Sequence, residues 1–509
     1  MIVNTTLVSS PNITLAKSIF KKQDSSLKIA LPVRIKGLHP IKTLGTAANS
    51  INDLIFEHLL DIDHQGNFKS SLAVKWTISK NKLIYTFHLR QNVNFHNGEK
   101  FTADNVYYSI NLIRDFYLEN KKQNNPAWNS FKNTFQNISE IKIIDAHQIQ
   151  IILKKPNINF LADNISNLPI LLNNEKEKIF NIGTGPYKVE NINPLSIILK
   201  KNPGYYLELP YLDNIEFKFY SNFAKAWASI MKGDADLILF LPQDKYEIMK
   251  KDPTFKTFSI TAPTYSAILF NLSHPLFSNV EIRQAINYAI NKEKMIKIAN
   301  KGYGNVCTGP FLPGSLSYNE NLKPYKYYPE KAIKIFSKYG YKIKNNVMMK
   351  NNKPLEITLL INKPYSSLKN IAAILHQQFQ EIGIKLILKQ HTKKALPQDF
   401  ELFLTTANIT RNNLITRLIG LMQQCNPKKD DRVINKVIKL SRQAAETYTP
   451  TIQNQLLQEI HKHFYENQIF CFLFNPEVFF AVRDNYQNID NFFTPFMPTY
   501  YLAYWRYNK

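Results

Sequence analysis

Between Leu83 and Ile113 the spacing of apolar residues changes from one period to another. Leu83, Tyr85, Phe87 and Leu89 fall on every second position, the pattern of a strand with one buried face. Val93 and Phe95 repeat it, and Asn97-Gly98 supplies a turn in which positive φ costs little. Val106, Ile110 and Ile113 then recur at i, i+4 and i+7, the apolar stripe of a helix. Thr102 is the expected cap, its hydroxyl accepting from a free backbone N–H, with Asp104 in the first turn. This stretch predicts strand, turn, strand and capped helix.

The same reading extends along the chain. Leu27 to Leu31 predicts a short strand, and Ile51, Leu54, Ile55 and Leu59 mark a helix within 46–60. Residues 120–140 are polar and Asn-rich, a surface loop and helix. Ile141 to Leu153 predicts strands joined at Asp145-Ala146, and Ala267 to Asn271 predicts another. Ser278 or Asn279 can cap a helix whose stripe is Ile282, Ala285, Ile286 and Ala289. Leu355–Leu360, Ile371–Ile382 and Ile384–Leu388 read as strand, helix and strand, the unit of an α/β lobe with a crossover helix.

A chain of 509 residues holds two to four domains or one multi-lobed unit. With 44% hydrophobic and 20% charged residues it reads as globular, and it has no apolar run near the roughly 18 residues that span a bilayer. Its 64 Lys+Arg against 39 Asp+Glu give +25, but the lysines are scattered. That predicts a broadly cationic surface and no nucleic-acid site. Cys307, Cys425 and Cys471 are an odd count without CxxC, leaving one bridge with a spare thiol, or three thiols, both open. His461 and His463 stand two apart and share no helical face, so no metal is expected there. Neither GxSxG nor HExxH occurs, and Gly183-Thr184-Gly185-Pro186-Tyr187 lacks the GK[ST] of a phosphate cradle. No enzyme and no cofactor are expected.

Leu89-Arg90, Val93, Phe95-His96, Gly98 and Phe101-Thr102-Ala103-Asp104 with Val106 closely resemble the signature of the bacterial extracytoplasmic solute-binding proteins of the peptide/nickel class. The resemblance continues through Leu60 to Gly66, Leu72 to Trp76, Gly183 to Tyr187, Asn202 to Tyr206, Gly233 to Leu237, Pro275 to Ile290, Gly309 to Gly314 and Tyr328 to Ala332. It implies an α/β fold of the large periplasmic binding protein type, with two hinged lobes and a smaller extra lobe. Lobe I would comprise residues 28–70, 183–270 and 480–509, the extra lobe 71–182 and lobe II 271–479, after an extension over 1–27. It also implies a periplasmic monomer that closes on a peptide or peptide-like solute and delivers it to the permease subunits of an ABC importer. Met1 to Lys28 shows no basic start followed by an apolar core, so no signal peptide is expected within it. Arg283 is expected to bond carboxylates or carbonyls as a structural residue.

One departure bears on the ligand. Many relatives carry a Trp-x-Ala-Asp-Tyr-x-Asp-Pro-like segment after the strand expected at Phe400–Leu404, and an aspartate in it receives the ligand's α-ammonium. Here the segment is Thr405-Thr406-Ala407-Asn408-Ile409-Thr410-Arg411, with no carboxylate, and Arg411 would repel an ammonium. Asp399 and Glu401 lie before or within the strand. An N-blocked peptide, an anionic or neutral solute, or a degenerate lobe are the readings this leaves. The candidate ligand residues are Thr43 and Thr46 in the first loop, Tyr265 and Asn271 near the hinge, and Thr406, Asn408 and Arg411. The alternative from another class is the same fold kept as a sensory or interaction module.

Overall fold

A computed structural model describes residues 25–507 apart from 36, 42–45, 63–67, 120–134, 158–159, 174–180, 363–366, 393–395, 397, 410–413, 426–431, 448–449, 491 and 494–498. Strand β1 (Ser26–Leu31) leads into helix α1 (Thr46–Ile55), which buries Ile51, Leu54 and Ile55. Leu59 is buried too, but just past the helix end. Next come β2 (Ala73–Ile78), β3 (Ile84–Leu89), α2 (Ala103–Glu119), β4 (Ile138–Asp145) and β5 (Gln148–Leu153). The four strands form an antiparallel sheet in the order β2-β3-β5-β4. Tyr85, Phe87 and Leu89 point inward from β3, and Val106, Ile110 and Ile113 face the same core from α2.

Two expectations in this stretch are corrected. The second strand is only a bridge between Asn94 and Lys100, because the Gly98 N–H donates to Phe95 O and turns the chain back at once. Val93 and Phe95 are buried all the same. Thr102 does not cap through its hydroxyl. Its N–H donates to Asn105 Oδ1 at 2.8 Å, the helix reaching back to its own entry as in the second half of a capping box.

The chain then supplies β6 (Tyr187–Ile192), β7 (Ser196–Lys201), β8 (Asn214–Phe219), α3 (Phe223–Lys232) and β9 (Leu237–Leu241). Asn222 caps α3 by accepting from the Lys225 N–H, and Gly233 ends it at φ 85°. After these follow β10 (Phe255–Thr261), β11 (Thr264–Phe270), α4 (Val280–Tyr288), α5 (Lys292–Ala299) and β12 (Gly304–Val306). Asn279 and Asn291 cap α4 and α5, accepting from Glu281 and Lys294 N–H. Then β13 (Glu356–Asn362), α6 (Ser367–Glu381) and β14 (Lys385–His391) form the expected β-α-β unit with parallel strands, and β15 (Leu402–Asn408), α7 (Pro450–Asn467) and β16 (Phe470–Arg483) complete the main framework.

Among the described residues the large sheet runs β14-β13-β15-β11-β16-β9-β1-β8-β7-β6, with β10 and β12 also on β16. Its two ends carry separate cores. Leu27, Ile29, Phe217 and Leu237 join the core that also holds β3 and α2, whereas Leu269, Ile286, Leu359 and Leu404 join another. Strands β10 and β11 together run antiparallel to β16, pairing Thr261 with Glu477 and Leu269 with Phe470. Both cores are strung on these two long runs.

The run from Gly183 to Tyr187 is a packing joint. A Cβ on Gly183 would fall 1.9 Å from Ile55 O, and one on Gly185 would fall 2.6 Å from Leu54 O. Backbone contact this close permits only glycine. The Gly185 N–H donates to Ile55 O at 2.9 Å, and His96 exchanges bonds with both glycines. Gly183→Ala is therefore expected to cost at least about 3 kcal/mol in chemical denaturation. Gly420→Ala, in open space on a helix, should be neutral or stabilising by about 0.5–1 kcal/mol.

Candidate functional site

The chain passes between the two cores at Ala262-Pro263 and again at Asn475-Pro476-Glu477. A proline stands at each passage and removes a ladder donor. The first run is divided there, into β10 and β11, whereas β16 continues through Pro476, which pairs with Gly304. The crossing is pinned locally: the Ala262 N–H donates to Pro476 O at 2.8 Å, and the Ile409 N–H donates to Pro263 O at 2.6 Å. Asn475, 1% exposed, donates from Nδ2 to Thr264 O at 2.7 Å and accepts from Cys307 Sγ at 2.8 Å. Asn305 Nδ2 donates to Thr261 Oγ1 at 3.0 Å, and Ser259 Oγ donates to Glu477 Oε2.

Beside this crossing β11 and β15 pair in the register Thr264–Asn408 and Ser266–Thr406. That brings Tyr265, Thr406 and Asn408 to one end of the strand pair. Tyr265 is buried edge-on against Phe472, with ring centroids 5.0 Å apart, and Thr406 Oγ1 lies 3.4 Å from Ser266 Oγ. Asn408 is exposed. Asn271 lies past the opposite end of β11, roughly 20 Å away at strand rise. Its Nδ2 donates to Gln398 O at 3.0 Å and Phe400 O at 2.6 Å, and its Oδ1 accepts from the Ser273 N–H. Thr43, Arg411 and the Thr46 side chain lie outside the described residues; the Thr46 backbone opens α1.

Glu401 is engaged away from the crossing, accepting from the Thr358 N–H with His274 Nε2 3.5 Å from its Oε1. The carboxylate at the crossing is Glu477, which sequence reasoning passed over. Its signal was present: Asn475-Pro476-Glu477 interrupts an otherwise apolar run from Phe470 to Val482. Arg283 is buried and donates to the carbonyls of Phe277, Ser278, Asn467 and Gln468.

Other ionisable groups are buried elsewhere. All three cysteines are free and buried, and burial pushes each thiol up. Burial likewise lowers Lys292, which lines a small pocket with Asn287, Thr308 and Tyr325. His461 and His463 are both buried, the first bonded to Thr308 and the Asn319 N–H, the second to Val433 O and Asn467. Among the described residues no group of three His, Cys, Asp or Glu side chains is placed to hold a metal.

Glu57, just beyond α1, accepts at Oε1 from the hydroxyls of Tyr205 and Tyr206 at 2.9 and 2.8 Å. Burial pushes its carboxyl up to about 7 from 4.5. The folded state thus holds this proton more tightly than the unfolded chain. Glu57 favours folding most below pH 4.5, and the advantage, on the order of 3 kcal/mol, is lost as pH rises through 7. Glu57→Gln keeps the acceptor and removes the titration. Urea midpoints are expected to move in favour of the variant, relative to wild type, between pH 5 and pH 8.

A family model described as bacterial extracellular solute-binding proteins, family 5 middle, matches residues 67–413. The glutathione-binding protein GsiB of Escherichia coli (strain K12) is 26% identical over 382 residues, 73% of this chain and 70% of that protein. NikZ from Campylobacter jejuni, in complex with Ni(L-His), is similar at TM-score 0.68 and 24% identity, covering 95% of this chain and 100% of that one. The oligopeptide-binding protein AppA from Bacillus subtilis, in complex with a nonapeptide, is similar at TM-score 0.67 and 21% identity, covering 96% and 100%. The likeness to solved structures is one of fold: two α/β lobes with a smaller extra lobe.

Proposed function

The chain belongs to the bacterial extracellular solute-binding proteins of family 5, and on that footing we propose that it captures a peptide or peptide-like solute at the strand crossing. It is the solute-binding component of an ABC importer, and it makes and breaks no bond. In this reading the two lobes close by bending at Ala262-Pro263 and Asn475-Pro476, and the loaded protein meets the permease subunits outside the cytoplasm as a monomer. On the same reading lobe I takes residues 28–70, 183–270 and 480–509, the extra lobe 71–182 and lobe II 271–479, although β11 (Thr264–Phe270) packs into the second core, so the passage at Ala262-Pro263 falls short of that boundary. Among the described residues no helix is long and apolar enough to cross a membrane.

The observation that carries the reading is the crossing itself: two long paired runs, one of them interrupted at Ala262-Pro263, join two cores, and polar side chains gather where they meet. Thr406, Asn408 and Asn305 offer the donors and acceptors that a peptide backbone needs once water is excluded. Glu477 supplies a carboxylate for a free α-ammonium, the charge that the segment 405–411 lacks. The likeness to GsiB and to AppA, named for glutathione and solved with a nonapeptide, supports a solute of this class.

Native mass spectrometry of protein from its own host, followed by denaturing release, is expected to yield a set of short peptides. A single non-peptide solute would move the specificity while keeping the importer role. An empty cleft, with no thermal shift from di- to pentapeptides, would overturn the peptide reading. Glu477→Gln should weaken free-amine peptides about tenfold or more and leave N-acetylated ones unchanged, read by calorimetry.

A further inference from the structure

Phe240 has φ 58°, a left-handed backbone that a bulky residue adopts only when its surroundings force it. It lies in β9, where the register against β16 shifts between Ile238 and Leu241. Without that bulge Phe240 would share a face with Ile238. Instead Leu241 takes the place beside Ile238, in the small cluster with Tyr246 and Met249. Phe240 is turned to the opposite side, as bulges commonly re-aim a side chain. Its ring stays 47% exposed while resting 5.5 Å from the buried ring of Phe480. Phe480 in turn packs 5.4 Å from Phe493. A large aromatic is thus held out of a core that its neighbours enter, at a cost in backbone strain.

Its place in the fold says what it faces. β9 runs parallel to β1 with Ala30 beside Ile238, and both strands end within three residues of that pair, β1 at Leu31 and β9 at Leu241. Val33, 46% exposed, follows just past the end of β1. Both apolar groups therefore stand at the carboxyl end of neighbouring parallel strands, where open α/β sheets bind their ligands. Phe480 is three residues from Glu477 along β16, about 10 Å at strand rise and on the other face of the strand, since Phe480 packs with Val482 in the large core and Phe479 with Ala481 in the small cluster.

We propose that Phe240 is a solute-contacting residue, its ring a platform on the lobe I wall that takes a planar or apolar side chain of the bound peptide, with Val33 beside it. The inference rests on the peptide reading above and deepens it: the solutes selected carry an aromatic or large aliphatic group. Strain and exposure are retained here because the ring works against the solute and not against the core.

The test is calorimetric binding of Ala-Ala-Ala and Ala-Phe-Ala to wild type and to Phe240→Tyr, Phe240→Ala and Phe240→Gly. Wild type and the Tyr variant should bind Ala-Phe-Ala about three- to tenfold more tightly than Ala-Ala-Ala, and the Ala and Gly variants should lose that preference. Because both small variants lack the ring, their difference in Tm reads the backbone alone. The Gly variant should melt above the Ala variant, the reverse of the usual order in a strand. Wild type binding neither peptide would overturn the peptide reading, and this inference with it. Wild type binding both equally, or the Ala and Gly variants keeping the preference, would overturn the inference alone. An Ala variant more stable than the Gly variant would remove its premise of strain.

Discussion

Two antiparallel runs, residues 255–270 and 470–483, carry the whole architecture. Each contributes side chains to both cores: Phe480 and Val482 to one, Phe470 to Phe474 to the other. Neither core therefore forms without ordering the strands that lead into its neighbour. A ladder of such length would be stiff if unbroken. The run 255–270 is interrupted at Ala262-Pro263 while 470–483 continues past it, and the bonds from Ala262, Asn475 and Ile409 hold the interruption in register. A pinned joint at which one of two paired runs is interrupted is a place where hinge motion can be absorbed.

A second constraint fixes the extra sheet to the first core. The end of α1, the glycines at 183 and 185 and the loop at His96 meet with backbone against backbone. Burial lowers His96 to about 4, so the ring stays neutral and serves as donor on one nitrogen and acceptor on the other. Glu57 lies close along the chain from that joint, held neutral at acid pH by the same desolvation. The residues that carry the family resemblance are in this place structural, and their chemistry is that of packing.

Charge follows a different logic from fold. The excess of 64 basic over 39 acidic residues is spread over exposed lysines, and the ion pairs formed by Lys200, Lys338 and Lys385 are at the surface, where such pairs contribute little. Among the described residues the crossing instead presents the Glu477 carboxylate beside the neutral hydrogen-bonding groups of Thr406, Asn408 and Asn305. Such a site discriminates by geometry and by the fit of apolar groups, which is the setting in which an exposed, strained aromatic on the wall has a use.

Local order was legible from residue types. The alternation at Tyr85, Phe87 and Leu89, the stripes of α2 and α4, the cap at Asn279 and the β-α-β unit at 356–391 each depend on periodicity or on one side chain beside one N–H. These interactions span a few residues, so the linear chain contains them. The exceptions were short range as well: Thr102 lost its capping role to Asn105, and the strand at Val93 gave way to a turn at Gly98. Of the candidate site residues, Tyr265, Thr406 and Asn408 come together because β11 and β15 pair, whereas Asn271 is carried to the far end of the same strand. Glu477 left a trace in the chain as part of a polar break in an apolar run, but its place at the crossing, like the strained setting of Phe240, became visible only in three dimensions. One depends on where a strand 200 residues downstream crosses another, the other on a register shift between β9 and β16. Periodicity determines which face of an element is buried; only the pairing of distant strands decides which exposed groups meet.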